Sequence, residues 1–262
     1  MPAGTALTEQ LTDITITTPG AVIDGMWFHN GGTIFVAAPN VTIKRSRFSC
    51  DAGVSCGTSI WVGGVGNGVG ADGTRIEDVE IFYTLCDYQS SFSDAIMGSG
   101  YTLLRANIHN VGQAATALGP NPVVIKDSYV HDLCIRNDLA SHNQAVGTNG
   151  HSGGFTIRHN NLENWDGQTG VVSLFADFGP VQNVTIDNNL LNGAGYTIYG
   201  ASGDGKPFSG QTQKIVVTNN SFGRKFFPSC GYWGPLTYFD PSAPGNAWSG
   251  NVWESTGDPV QP

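Results

Sequence analysis

Three stretches of the chain follow one pattern: Phe155-Thr156-Ile157-Arg158-His159-Asn160-Asn161-Leu162, Val184-Thr185-Ile186-Asp187-Asn188-Asn189-Leu190-Leu191 and Ile215-Val216-Val217-Thr218-Asn219-Asn220-Ser221-Phe222. In each, an aliphatic residue is followed three positions later by asparagine and five positions later by a second apolar residue. A spacing of five cannot lie on one face of a single strand, because side chains alternate between faces. It fits two short strands joined by a corner. The flanking Val, Ile and Thr are strand formers.

Outward from these stretches, the aliphatic–apolar pair recurs nine times: Ile23/Phe28, Ile43/Phe48, Ile76/Ile81, Leu103/Ile108, Ile125/Val130, Ile157/Leu162, Ile186/Leu191, Val217/Phe222 and Trp248/Trp253, with first members 20 to 33 residues apart. The third position is Asn160, Asn189, Asn220 and Asn251 in the last four copies, and Ser46 and Ser128 in two earlier ones. Asparagine tolerates the left-handed backbone of a tight corner, and stacked amides can hydrogen-bond along a column of parallel strands. An asparagine ladder is therefore expected. A second column pairs a small residue with a large aliphatic one: Ser59-Ile60, Ala95-Ile96, Ala117-Leu118, Ala145-Val146, Ser173-Leu174 and Thr197-Ile198. Together these predict an all-β, single-stranded right-handed parallel β-helix, a solenoid of about nine coils with three short strands per coil. Residues 1–13 read as an N-terminal cap or linker, 14–254 as the β-helix domain, and 255–262 as a C-terminal linker.

Composition sets limits on function. Of 262 residues, 13% are charged, with 12 Lys+Arg against 21 Asp+Glu and a net charge of −9. A chain this acidic lacks the basic footprint of a nucleic-acid binder and is repelled by anionic lipid. No apolar run approaches 18 residues, so no membrane insertion by a helix is expected. Met1-Pro2-Ala3-Gly4 has neither the basic nor the apolar region of a signal peptide, and reads as the start of a domain cut from a longer chain. Among five cysteines, Cys50 and Cys56 are close enough to close a small loop, and one or two disulfides are expected with at least one free thiol. The spacings match no zinc pattern. Gly63-Gly64-Val65-Gly66-Asn67-Gly68-Val69-Gly70 lacks the Lys and following helix of a phosphate loop. Asn-x-Ser/Thr triplets at Asn40, Asn183 and Asn219 are explained by turn chemistry at strand edges.

The strands, the ladder and the coil length, over roughly residues 14–254, resemble the pectin-lyase-like parallel β-helix superfamily of pectate lyases, polygalacturonases, alginate lyases and epimerases, and phage tailspikes. More narrowly, Ser141-His142-Asn143-Gln144-Ala145-Val146 followed by Gly153-Gly154-Phe155-Thr156-Ile157-Arg158-His159-Asn160 resembles a segment of actinobacterial and phage β-helix proteins. There the first part runs Ser-His-x-Asp-(Ala/Gly)-Ile-Gln. Gln144 stands where that pattern has Asp, while Ser93-Asp94-Ala95-Ile96, taken as the coil before, keeps the Asp. The resemblance implies a carbohydrate partner and an extracellular setting, secreted or on a virion tail. It also admits a side-by-side homotrimer, and Ca²⁺ only for lyase chemistry; no other cofactor or metal is expected.

The interior of such a solenoid is filled by side chains, so function belongs to an outer face or to loops. With the aliphatic of each second-column pair inward, its neighbours face out: Ser59/Trp61, Ala95/Met97, Ala117/Gly119, Ala145/Gly147, Ser173/Phe175 and Thr197/Tyr199. That face is small in the middle and aromatic towards its ends, a trough suited to a sugar chain. Trp61, Phe175, Tyr199, His151, Gln144 and Lys206 are the candidate substrate-binding residues. The long loops 48–59, 81–94, 130–143 and 222–236 wall it and carry Asp87, Arg136, Asp138 and His142. Acid–base candidates are Asp177, His142, Asp94, Asp204 and Asp138. Asp177 leads, with His142 one coil below as proton-transfer partner and Asp204 one coil above. Asp94 and Asp177 lie about 14 Å apart at ~4.8 Å per coil, beyond the ~5–9.5 Å of a hydrolytic carboxyl pair. A separate column, His109, His131 and Glu163, could bind a metal or titrate as a set, although a solvated strand face accounts for it better.

Two functions fit this sequence, the first as its leading reading and the second as the alternative. One is a carbohydrate-active protein that binds and cleaves a polysaccharide by hydrolysis or β-elimination. The other is a non-catalytic glycan-binding module of a phage tail or surface adhesin. Gln144 in place of Asp and the scarcity of Lys and Arg count against lyase chemistry on a polyuronate.

Overall fold

The computed structural model describes residues 4–63, 70–86, 93–134 and 142–262. Within them the chain forms three parallel sheets, one of ten strands and two of nine, and every strand but those at the two ends of each sheet pairs with its counterparts one coil before and after. This is a parallel β-helix of three strands per coil. One short 3-10 turn, Ser209–Gln211, interrupts the strands.

The nine pairs seen in the sequence are two columns of the solenoid. Ile23, Ile43, Ile76, Leu103, Ile125, Ile157, Ile186, Val217 and Trp248 are in register along one nine-stranded sheet. Phe28, Phe48, Ile81, Ile108, Val130, Leu162, Leu191, Phe222 and Trp253 follow along the ten-stranded sheet. Most of these side chains are fully buried, and each contributes about 1.5–3 kcal/mol relative to an exposed one. Phe28 stacks on Phe48 with ring centroids 4.8 Å apart.

The ladder is present, but the left-handed residue is not the asparagine. In all nine coils the positive φ falls one position earlier, at Gly25, Arg45, Asp78, Arg105, Asp127, His159, Asn188, Asn219 and Gly250. The ladder residue follows it and points inward. Asn160 Nδ2 donates to Asn189 Oδ1, Asn189 Nδ2 to Asn220 Oδ1 and Asn220 Nδ2 to Asn251 Oδ1, each at 2.9 Å. Each Oδ1 also accepts the backbone N–H of the ladder residue one coil before, at 3.0 Å. Ser128 and Ser46 take the same role through a hydroxyl: Ala106 N–H donates to Ser128 Oγ at 3.1 Å, and Met26 N–H to Ser46 Oγ at 3.2 Å. The left-handed position faces solvent and takes charged residues that pair between coils. Arg45 grips Asp24, and Arg105 holds Asp78 with two contacts of 2.7 Å.

The second column needs a register correction. Along the second nine-stranded sheet the inward residues are Ile34, Ile60, Ile96, Ala115, Val146, Val172, Ile198 and Leu236. Leu118 therefore stands three positions past the inward Ala115, and Leu174 two past Val172. Ala95, Ala117, Ala145 and Thr197, expected on the outer face, are buried.

The ladder extends past the expected domain edges. Thr8–Gln10 already pairs with Met26–Phe28. At the other end Val260 is buried, its N–H donates to the Asn251 carbonyl, and its own carbonyl accepts the Trp248 indole N–H at 2.7 Å. The final segment thus folds back over the last coil. Disulfides join Cys50 to Cys56 and Cys86 to Cys134, and Cys230 is a buried free thiol. Asn40, Asn183 and Asn219 all have positive φ, the backbone state in which a turn favours Asn.

Candidate functional site: a cleft on the outer face of the second sheet

Two outward columns run along the sheet built from Ile60–Val62, Asp94–Gly98, Gln113–Ala117, Gln144–Thr148, Val172–Leu174 and Tyr196–Gly200. One is Trp61, Met97, Thr116, Gly147, Ser173 and Tyr199. The other is Asp94, Gln113 and Gln144. Gln144 Nε2 donates to Gln113 Oε1 at 2.6 Å, and Thr116 Oγ1 donates to Asp94 Oδ1 at 3.1 Å. Glycine is required at 147: an added Cβ would stand 2.6 Å from the Gln144 amide nitrogen and 2.7 Å from the Ser173 carbonyl.

A cleft of about 510 Å³ opens over the C-terminal half of this face. Its polar side is Gln113, Gln144, His142, Asn149, Gln168 and Thr169; Phe175, Tyr199, Asp177 and Lys206 complete it. The rings of Phe175 and Tyr199 have centroids 5.1 Å apart. Lys206 Nζ lies 2.8 and 3.0 Å from the two Asp177 carboxylate oxygens and 4.9 Å from the Phe175 ring centroid. Burial, followed by the neighbouring Tyr238 and Tyr196, raises the Tyr199 phenol above its ordinary value.

Two buried asparagines set the walls. Asn143, between His142 and Gln144, donates to the Gly112 and Cys134 carbonyls at 2.9 and 2.7 Å. The Asn164 amide nitrogen lies 3.1, 3.1 and 3.3 Å from the carbonyls of Asn143, Gln168 and Gly170. It holds the 165–170 segment against the entry loop. An added Cβ on Gly170 would come within 2.4 Å of Ser173 Oγ and 3.1 Å of the Tyr199 ring, so this segment lies directly on the sheet.

Of the residues expected from sequence, His142, Gln144, Phe175, Asp177, Tyr199 and Lys206 converge on the cleft. Trp61 shares the Tyr199 column but stands three strands before Gly147, about 14 Å away at ~4.8 Å per strand. Asp94 ends the glutamine column beside Gln113; it is two coils before Gln144, not one, because Gln113 lies between. Burial pushes its carboxyl up to about 6, against a smaller opposing effect of the Thr116 hydrogen bond. Asp204 sits on an exposed turn outside the lining. His151 is a correction: it is 1% exposed, with its ring nitrogens 2.7 and 3.1 Å from the Gly119 and Gly154 carbonyls, so it braces a corner from inside. Asp138, Asp87 and Arg136 lie outside the described residues. The sequence reading missed Gln113, Asn149, Gln168 and Thr169. A signal for Gln113 existed in the matching triplets Asp94-Ala95-Ile96, Gln113-Ala114-Ala115 and Gln144-Ala145-Val146.

On the ten-stranded sheet, His109 and His131 stack with centroids 5.0 Å apart. Burial, then the neighbouring His131, lowers the His109 pKa. Glu163 is buried and takes Lys225 at 2.6 Å. Among the described residues no group of three or more His, Cys, Asp or Glu is placed to hold a metal ion, and no helix is long and apolar enough to cross a membrane.

Neither a protein-family model nor a curated protein sequence matches the chain. Among solved structures, the chain is similar to the crystal structure of Dettilon tailspike protein (gp208), with a TM-score of 0.40 and 12% sequence identity, over 94% of this chain and 58% of that one. The chain thus spans less than two thirds of the length of the protein it matches.

Proposed function

We propose that this β-helix binds a polysaccharide in the cleft of its second sheet. The observation that carries the reading is the lining itself: the Phe175 and Tyr199 rings beside four side-chain amides, Gln113, Gln144, Asn149 and Gln168. Aromatic faces take the C–H surfaces of sugar rings, and amides present donors and acceptors together for hydroxyls. Asp177 adds an acceptor, with its charge already balanced by Lys206.

Recognition fits better than cleavage. Asp177 is the one carboxylate in the lining among the described residues, and it is engaged by Lys206. Hydrolysis usually needs two carboxyl groups about 5–9.5 Å apart, and Asp94 is three strands away. Two disulfides support an extracellular setting, free or on a virion tail.

The test is a panel of bacterial capsular, O-antigen and plant polysaccharides, scored for binding, new reducing ends and absorbance from unsaturated products. The expected result is binding to at least one, weakened tenfold or more by Tyr199→Ala with folding retained, and no turnover. Turnover lost 100-fold in Asp177→Asn with affinity retained would replace recognition by catalysis. Absence of binding across the panel would remove the glycan reading.

A further inference from the structure

The wall segment that closes the cleft has a second side. Gln168 and Thr169 line the cleft, whereas Trp165, Asp166 and Gly167, immediately before them, line a separate groove of about 420 Å³ with Phe227, Tyr232 and Trp233. Trp165 and Thr169 are four positions apart, at most about 14 Å of extended backbone. The groove and the cleft therefore share one short wall.

The groove is aromatic, exposed and fixed in place. Of six tryptophans, only Trp165 (43%) and Trp233 (66%) are exposed, and both stand here beside Tyr232 at 55%. Exposed rings gathered in one place mark an interaction site more often than rings scattered singly. The Trp165 indole N–H donates to the Leu133 carbonyl at 2.7 Å. The backbone N–H groups of Tyr232 and Trp233 donate to the carbonyls of Ala194 and Gly195 at 2.7 and 2.8 Å. Tyr232 meets Trp233 edge-on with centroids 4.6 Å apart and Phe227 edge-on at 5.6 Å, and Gly167 packs against the Tyr232 ring. Rings held this way lose little freedom on binding. Among the described residues no cation lines the groove, and Asp166 gives it one acceptor.

The geometry points to a second sugar-binding subsite on Trp165, Tyr232 and Trp233, taking further rings of the same glycan as it passes over the 165–169 wall from the cleft. The proposal rests on the cleft being a glycan site. Its ligand class is neutral pyranose rings that present a C–H face, since the one charged group among the described lining residues is the Asp166 carboxylate, which would repel an anionic ring. A second copy of the chain is the competing occupant, and the shared wall favours the glycan because it sets the groove one short segment from the cleft.

The test uses the full chain and a size ladder of oligosaccharides, from two to ten sugars, prepared by partial acid hydrolysis of the panel polysaccharides. Affinity is read by calorimetry. Trp233→Ala is expected to weaken the longest oligosaccharides tenfold or more while leaving the shortest within twofold, and Tyr199→Ala to weaken both. Trp233→Leu, which keeps apolar volume without a flat ring, should behave as Trp233→Ala and serves where the alanine variant does not fold. Long-chain affinity within twofold of wild type in either folded variant overturns the subsite and leaves the cleft reading intact. A wild-type oligomer that dissociates in sedimentation on Trp233→Ala assigns the groove to a second copy and overturns the proposal. Failure of every oligosaccharide to bind wild type overturns both readings.

Discussion

Asn189→Leu tests the reason the solenoid keeps asparagine at its corners. Asn189 Oδ1 is the acceptor for two donors of the coil before, the Asn160 N–H at 3.0 Å and the Asn160 Nδ2 at 2.9 Å. Its own Nδ2 donates to the Ile157 carbonyl and to Asn220 Oδ1, both at 2.9 Å. Leucine nearly matches the volume and removes these four contacts together with a fifth, from Nδ2 to the Asp187 carbonyl at 3.1 Å. The losses are unequal. Asn160 Nδ2 keeps the Ile125 carbonyl at 3.0 Å, and Asn220 Oδ1 keeps the Asn189 backbone N–H at 3.0 Å. The Asn160 backbone N–H is left buried without an acceptor, which costs about 1–3 kcal/mol. A loss of about 2 kcal/mol lowers the melting midpoint of a chain this size by roughly 4–8 °C. Asn189→Ser is the internal control, because Ser128 already does this work by accepting the Ala106 N–H and donating to the Lys126 carbonyl at 2.9 Å. Serine should cost no more than about 1 kcal/mol. The assay is thermal and guanidinium unfolding followed by far-UV circular dichroism and tryptophan fluorescence, with coincident transitions required before free energies are compared. An unchanged midpoint in the leucine variant, or a serine variant as damaged as leucine, would refute the argument that the buried N–H decides the residue.

Two further outcomes follow from burial and connectivity. Asp94 has its carboxyl raised from 3.8 to about 6 by burial, so its favourable contribution is fully present below about pH 4 and is lost as pH rises through 6. Asp94→Asn should melt above wild type at pH 7, by up to about 3 kcal/mol at ~1.36 kcal/mol per pKa unit, and the two should converge at pH 4 in the same melts. Replacing Cys86 and Cys134 by serine opens a link across 48 residues, against 6 for Cys50 and Cys56. The loop-entropy estimate gives losses of about 4 and 2 kcal/mol, so denaturant midpoints should fall further for the first pair, and the reverse order would show that the loop term does not govern.

The solenoid could be read from sequence because two of its three columns repeat at a fixed internal distance. The aliphatic of one sheet and the apolar residue of the next are always five apart, whatever the coil length, since the corner between them is always the same: one left-handed residue and one inward ladder residue. What the sequence did not reveal is which of these two is left-handed. Asparagine is at home in both roles, and Asn188-Asn189 and Asn219-Asn220 place it at both positions. The earlier coils carry the answer. Arg45, Asp78, Arg105 and Asp127 precede Ser46, Val79, Ala106 and Ser128, and a buried inward position excludes charge. The charged residue must therefore be the left-handed one, despite its unfavourable backbone.

The third column was misread at two of its six pairs, Ala117-Leu118 and Ser173-Leu174, because no corner ties it to the other two. Loops of varying length enter the second sheet, so its register depends on local sequence alone. A small residue before a large aliphatic is a weak marker in a chain with so much alanine and glycine. Ala117-Leu118 matched that marker, yet the strand is in register through Ala114-Ala115. That shift put Gln113 in the loop and hid the polar column of the cleft. The side chain that carries information is the outward residue two positions before the inward one: Asp94, Gln113, Gln144. Its stacking chemistry constrains it as the asparagine ladder constrains the corner, because each amide can donate to a neighbouring coil, as Gln144 does to Gln113 on the coil before. Asp94 cannot donate in this way once ionised, and it closes the column where Thr116 supplies the donor instead. Beyond this column, Gln168 and Thr169 come from a loop that Asn164 ties to Asn143, 21 residues away on the coil before, and Asn143 is itself held to Gly112. Contacts between coils 21 residues apart in sequence leave no periodic trace, so the face of the solenoid that receives a ligand is written in pairs of residues rather than in its repeat.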